Sequence, residues 1–130
     1  MRYPMKKYSL YLMVQLMPKH YIAPGLPPLC WGYQAITLCP LGIFYRSVEI
    51  SNDQATRNHE FIHWKQQREM LCLLFYLWYL IEYLIRLIRF MDHQKAYRSI
   101  GFEQEAKMYE RNPDYLSGRK HFHWLRFAIK

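Results

Sequence analysis

The sequence predicts an α+β fold that is mainly α, and three observations carry the prediction. A chain of 130 residues makes one domain with room for a real core but not for a separate substrate domain. Two β-prone runs, "QAITL" and "GIFYRSVEI", flank Cys39-Pro40-Leu41-Gly42, the punctuation of a short hairpin. The longest patterned stretches, residues 51–90 and 102–111, consist of helix formers with helical start and stop signals.

Taken in order, residues 1–30 read as an irregular or weakly membrane-associated segment. Arg2, Lys6 and Lys7 precede the apolar run "YSLYLMVQLM", which loosely imitates a signal peptide. Met17-Pro18-Lys19-His20 then stands where a cleavage site would need small residues, and "APGLPP" is an irregular loop. The hairpin follows. Ser51 with Gln54 three residues later forms a capping-box pattern, so a helix is expected to start at Ser51 or Asn52 and to carry "RNHEFIHWKQQREM". "MLCLLFYLWYLIEYLIRLIRF", residues 70–90, either continues that helix or begins another after a bend. Its length suits a transmembrane span. Glu82, Arg86 and Arg89, however, draw one polar stripe at i, i+4 and i+7, which favours a buried or interfacial helix whose stripe pairs internally. "DHQKAYRSIG" reads as a polar connector and "FEQEAKMYER" as a short helix stopped by Asn112-Pro113. The tail "RKHFHWLRFAIK" fits either period; His121 and His123 would share a face in a strand and read as solvated.

A chain that is 52% hydrophobic and 18% aromatic is not disordered. A net charge of +8 suggests an anionic partner. No zinc-finger spacing, RNA-binding signature or helix-turn-helix is present, so no specific nucleic-acid partner is expected, and peripheral membrane contact stands beside the plain reading of a basic protein surface. Cys30, Cys39 and Cys72 are odd in number and lack CxxC spacing, which argues against a disulfide framework and for a reducing compartment, the cytoplasm.

The chemistry concentrates in "HEFIH". Residues four apart on a helix lie one turn above each other, so His59 and His63 can present two imidazole nitrogens to one zinc ion. In this arrangement the metal lowers the pKa of a coordinated water, and Glu60, beside the first ligand, can accept its proton. Two histidines leave the metal undercoordinated, and Glu103 and Glu105 are the candidates for a third ligand. Being two apart they point in different directions, and small Ala106 lets that helix approach closely, which favours Glu103. Gln66 and Gln67 can hydrogen-bond on the His63 side or lie on the helix surface.

"HEFIH" followed by "EQEAK" resembles the gluzincin class of zinc metallopeptidases, in which HExxH is followed by a glutamate on a later helix. The combination "NHEFIHWKQQ … FYLWYLIEYLIRL … AYRSIGFEQEA" is also similar to small bacterial proteins with the same helix pair, over residues 36–111. The resemblance implies a single minimal zincin-like domain, zinc held by His59, His63 and Glu103, Glu60 as general base, and a peptide or protein substrate. Lys107 departs from the pattern, standing where the family places an acidic residue that orients a histidine ligand. The family's Tyr or His over the metal has candidates in Tyr97 and Tyr109, and "GIFYRSVEI" is a candidate strand for pairing with an extended substrate. A second reading is a non-catalytic membrane-surface or protein-interaction module.

Overall fold

A computed structural model describes residues 17–25 and 34–128. They form a three-stranded sheet, β1 (His20–Ile22), β2 (Ala35–Leu38) and β3 (Gly42–Tyr45), followed by six helices: α1 (Val48–Asn52), α2 (Gln54–Glu69), α3 (Leu73–Phe90), α4 (His93–Ser99), α5 (Gly101–Tyr109) and α6 (Tyr115–Gly118). A 3₁₀ turn at His123–Arg126 closes the described chain. The fold is α+β and mainly α, as the sequence predicts. The N-terminal apolar run up to residue 16 and the second half of "APGLPP" lie outside the described residues.

The hairpin forms where the punctuation puts it, with Leu38 opposite Gly42 and Ala35 opposite Tyr45. Gly42 adopts φ +143°, and a Cβ there would lie 2.3 Å from the Lys19 carbonyl oxygen, so only glycine fits. That close approach belongs to β1, which pairs in parallel with β3 inside the segment read as irregular. Three exposed residues carry no strand pattern of their own; the backbone bonds Ile43 N to Lys19 O (2.8 Å) and Ala23 N to Tyr45 O (2.7 Å) hold them.

Two helix boundaries differ from expectation. The run "GIFYRSVEI" leaves the sheet after Tyr45, because Ser47 caps a short helix by accepting from Ile50 N at 3.2 Å. Ser51 then turns its hydroxyl onto Val48 O (2.6 Å), and Asp53 caps α2 in its place, accepting from Thr56 N at 2.9 Å. After Glu69 the chain bends by 109° into α3, so of the two expected courses residues 70–90 take the second, a new helix after a bend. Leu71 and Cys72, at φ 52° and 57°, make the bend. Left-handed backbone at non-glycine residues costs about 1–3 kcal/mol each. Gln67 braces the bend against the hairpin: its amide accepts from Cys39 N (2.7 Å) and donates to Thr37 O (2.8 Å). There Cys39 and Cys72 are joined, with Cα atoms 5.6 Å apart, contrary to the expectation of no disulfide. Spacing along the chain carries no trace of this pairing, since it depends on where the bend returns the helix. It removes the cysteine argument for a reducing compartment.

"DHQKAYRSIG" is not a connector but α4, capped by Asp92, which accepts from Lys95 N at 3.0 Å; buried Ala96 anchors it. α5 ends before Asn112-Pro113 as expected. The tail forms no strand: His121 is exposed, and His123 packs edge-on to Tyr109. Phe75, Ile100, Phe102, Trp124 and Ala128 make the main aromatic core between α3, α5 and the tail. Two members of the polar stripe of α3, Glu82 and Arg86, face this interior. Glu82 is fully buried and accepts from Arg86 (3.0 Å), Trp78 Nε1 (3.1 Å) and Gly101 N (3.0 Å), while Arg89 is exposed, its guanidinium 5.6 Å from the Phe90 ring centroid. Among the described residues no single helix is long and apolar enough to cross a membrane; only the bent pair α2 and α3 together meets that test.

Removing one partner of such a buried pair leaves the other uncompensated. Glu82→Ala should therefore lower the unfolding free energy by about 3 kcal/mol, read from the urea midpoint at unchanged slope.

Candidate metal centre

α2 carries His59, Glu60 and His63, and α5 packs against it with Glu103 turned inward. The two imidazole Nε2 atoms lie 3.0 Å apart, and Glu103 Oε2 lies 3.2 Å from that of His63 and 3.3 Å from that of His59. Two ligands bonded to one zinc ion at about 2.0–2.1 Å with tetrahedral angles stand roughly 3.3 Å from each other. The three atoms thus already form a triangle of the size one zinc ion requires.

Hydrogen bonds on the far side of each ring decide which atoms face inward. His59 Nδ1 lies 3.0 Å from Glu110 Oε2, and a carboxylate can only accept, so Nδ1 donates. Gln66 settles His63 in the same way. Its amide nitrogen donates to Phe102 O (3.1 Å) and to Glu105 Oε2 (2.8 Å), which turns Oε1 toward His63 Nδ1 at 2.8 Å. The His63 proton sits on Nδ1, and both Nε2 lone pairs converge with the Glu103 oxygen. Three acceptors at this spacing require a cation among them, either protons or a metal.

The electrostatics agree. Burial pushes the His59 imidazolium down, but hydrogen bonds and charge from Glu103 and Glu110 outweigh it and raise the pKa to about 10. His63 is raised as well, against the same burial, by Glu103. Glu103 is pushed up by burial yet held well below the usual carboxylate range by His63 and His59. Glu110 is brought down to about 2 by the hydrogen bond with His59 and by that from Lys107, against the upward push of its partial burial.

Glu105 stands apart from the triangle. It is buried beneath Arg119, whose Nε donates at 2.6 Å, and Tyr115, whose hydroxyl donates at 2.6 Å; Arg119 also pairs with Glu69. Lys107, the departure from the gluzincin pattern, bonds Glu110 at 2.8 Å, and Glu110 occupies the orienting position on His59. Glu110 lies seven residues after Glu103, two turns along the same face, a spacing from which it was legible. Tyr79, whose hydroxyl donates to Glu103 Oε1 at 3.0 Å, shares a face of α3 with Tyr76 and Tyr83. Thr37, which donates to Glu60 Oε2 at 2.6 Å, left no signal in the sequence.

Glu60 is buried and lines two cavities. The larger, about 440 Å³, runs from His63 and Glu103 along Tyr76, Tyr79 and Tyr83 of α3, with β2 as its opposite wall. Tyr97 lines both cavities, whereas Tyr109 stacks on Tyr115 at 3.9 Å, away from them. The strand bordering the site is β2: β3 is flanked on both sides, so "GIFYRSVEI" has no edge to offer. Arg46 N bonds Gln34 O, and by the alternation of antiparallel pairing Ala35 and Thr37 turn their backbone groups away from β3. No family model matches the chain, and no curated protein or solved structure matches it.

A histidine whose folded pKa is raised contributes stability that is fully present below its ordinary value of 6.5 and is lost as pH rises through about 10. Chelator-treated protein should lose denaturant resistance across that window, and His59→Ala should flatten the loss.

Proposed function

We propose that this chain is a zinc-dependent metallopeptidase of minimal size. The observation that carries the proposal is the triangle of His59 Nε2, His63 Nε2 and Glu103 Oε2, with edges of 3.0–3.3 Å, beside the buried carboxylate of Glu60. Three nitrogen and oxygen ligands with a remaining open position suit a catalytic zinc site better than a structural one, which would be closed. A zinc ion held there would supply Lewis-acid activation of water and of the scissile carbonyl.

The remaining roles fall to the chain's own residues. Thr37 ties down one Glu60 oxygen, which leaves Oε1 to take the proton of the attacking water and pass it to the departing amine. Glu110 and Gln66 keep both imidazole rings turned with Nε2 inward, and Tyr79 holds Glu103 so that Oε2 meets them. The outward backbone groups of Ala35 and the Thr37 N–H can pair with an extended peptide, a mode that reads main chain along one side of the cavity, while the Thr37 carbonyl stays with Gln67. The tyrosines of α3 and Tyr97 offer apolar walls for side chains.

Two experiments test this reading. The first compares zinc affinity: Glu103→Gln should weaken binding about a hundredfold, and Glu105→Gln, which reaches the triangle through Gln66, about tenfold or less. Equal losses would mean that the triangle is not the binding site. The second compares cleavage of a mixed peptide library at matched zinc occupancy. Glu60→Gln should retain metal and melting temperature yet cleave at least about a hundredfold more slowly. Tight zinc binding by a wild type that cleaves nothing would leave a metal-holding protein without turnover, and cleavage by Glu60→Gln at the wild-type rate would remove Glu60 as the base.

A further inference from the structure

α3 is amphipathic in the inverse sense to a surface helix of a water-soluble domain. Its polar groups Glu82 and Arg86 face the protein, and its opposite side presents eight exposed leucines and isoleucines between Leu73 and Ile88. At 100° per residue these cover an arc of about 140°, along an 18-residue helix about 27 Å long. No polar or charged side chain interrupts the arc. Leu73, Leu77 and Ile88 are 77%, 55% and 75% exposed. Monomeric proteins in water rarely leave an unbroken apolar strip of this size uncovered.

The charge distribution names the occupant. Of the ten carboxylates, Glu60, Glu82, Glu103, Glu105 and Glu110 are buried, and Glu69 is paired with Arg119. Of the fourteen lysines and arginines among the described residues eleven are exposed, so the described surface is strongly basic. Exposed Arg68 precedes α3, and Arg89 and Lys95 stand at its far end. Such a surface repels a second copy of itself and attracts anionic headgroups. The arc is also wider than the narrow seam of a two-helix coiled coil.

We propose that the Leu/Ile face of α3 seats the protein on an anionic lipid bilayer, with the helix lying in the interface and its apolar side chains entering the acyl boundary. The Glu82–Arg86 side stays against the protein, and no spanning segment is needed. Leu80 belongs both to this face and to the wall of the larger cavity, so docking brings the cavity beside the lipid surface. The inference is independent of the chemistry at the histidines.

The test is flotation of the full chain with phosphatidylcholine vesicles, with and without phosphatidylserine, alongside sedimentation without lipid. The wild type should float with the phosphatidylserine vesicles, and more weakly as salt is raised. Leu77→Glu with Leu84→Glu, both at exposed positions outside the cavity, should keep the circular dichroism spectrum and melting temperature but bind at least about tenfold more weakly. Val48→Glu, an exposed apolar residue on α1, should bind as the wild type. Equal binding by the double variant would overturn the proposal, as would equal affinity for vesicles lacking phosphatidylserine. A dimer dispersed by the double variant would assign the face to a second copy. A monomer indifferent to both vesicles would assign it to cover from within the chain, and either result also overturns the proposal.

Discussion

Gln66 is fully buried, and its one amide joins the two helices on which everything else depends. Its nitrogen reaches across to the Phe102 carbonyl and to Glu105 on α5, and its oxygen reaches back along α2 to His63. A buried amide of this kind is costly unless every hydrogen bond is made, so it specifies the register of α2 on α5 more sharply than apolar packing would. With that register set, Glu103 meets His59 and His63 within 3.3 Å, and Glu105 is left to anchor Arg119 and Tyr115. Two glutamates two residues apart acquire different tasks because one faces the histidines and the other faces the amide that orients them.

The same economy of buried polar groups operates at Glu82. Its carboxylate takes the Gly101 backbone N–H at the start of α5 together with Arg86 and Trp78 of α3, and so fixes α3 relative to the helix that carries Glu103. Tyr79, one turn away, completes the link by donating to Glu103 itself. The aromatic cluster of Phe75, Phe102 and Trp124 fills the space between these polar ties. Satisfying the polar groups inward turns eight Leu and Ile side chains of α3 outward, where they are exposed, which is why the helix shows its apolar side.

Much of the site was legible before any coordinates. HExxH at helical spacing marks His59, Glu60 and His63 because the period of the helix alone puts the two histidines on one face. The same reasoning separates Glu103 from Glu105 once a close helix contact at Ala106 is assumed. Glu110 lies two turns from Glu103 on the same helix face and so follows from the same periodicity, while the nearer position holds Lys107, which pairs with it. The strand that borders the cavity was misassigned for a different reason: hairpin signals place β2 and β3 but do not say which is central, and that was decided by β1, three residues whose partners lie more than twenty positions away.

By itself the sequence determined the class of the fold, the hairpin, the helix carrying "HEFIH", and the pairing of Glu82 with Arg86 on the inner side of α3. These rest on local periodicity and on turn and capping preferences, which act over a few residues. Only the tertiary structure decided the 109° bend after α2, the meeting of Cys39 with Cys72, the tautomer of His63 and the attachment of Glu60 to Thr37. Each of these depends on a partner that spacing along the chain does not name, or on the orientation that a remote partner imposes on a near one. Gln66 can hold the His63 proton on Nδ1 only because α5, some forty residues later, supplies two acceptors that turn its amide.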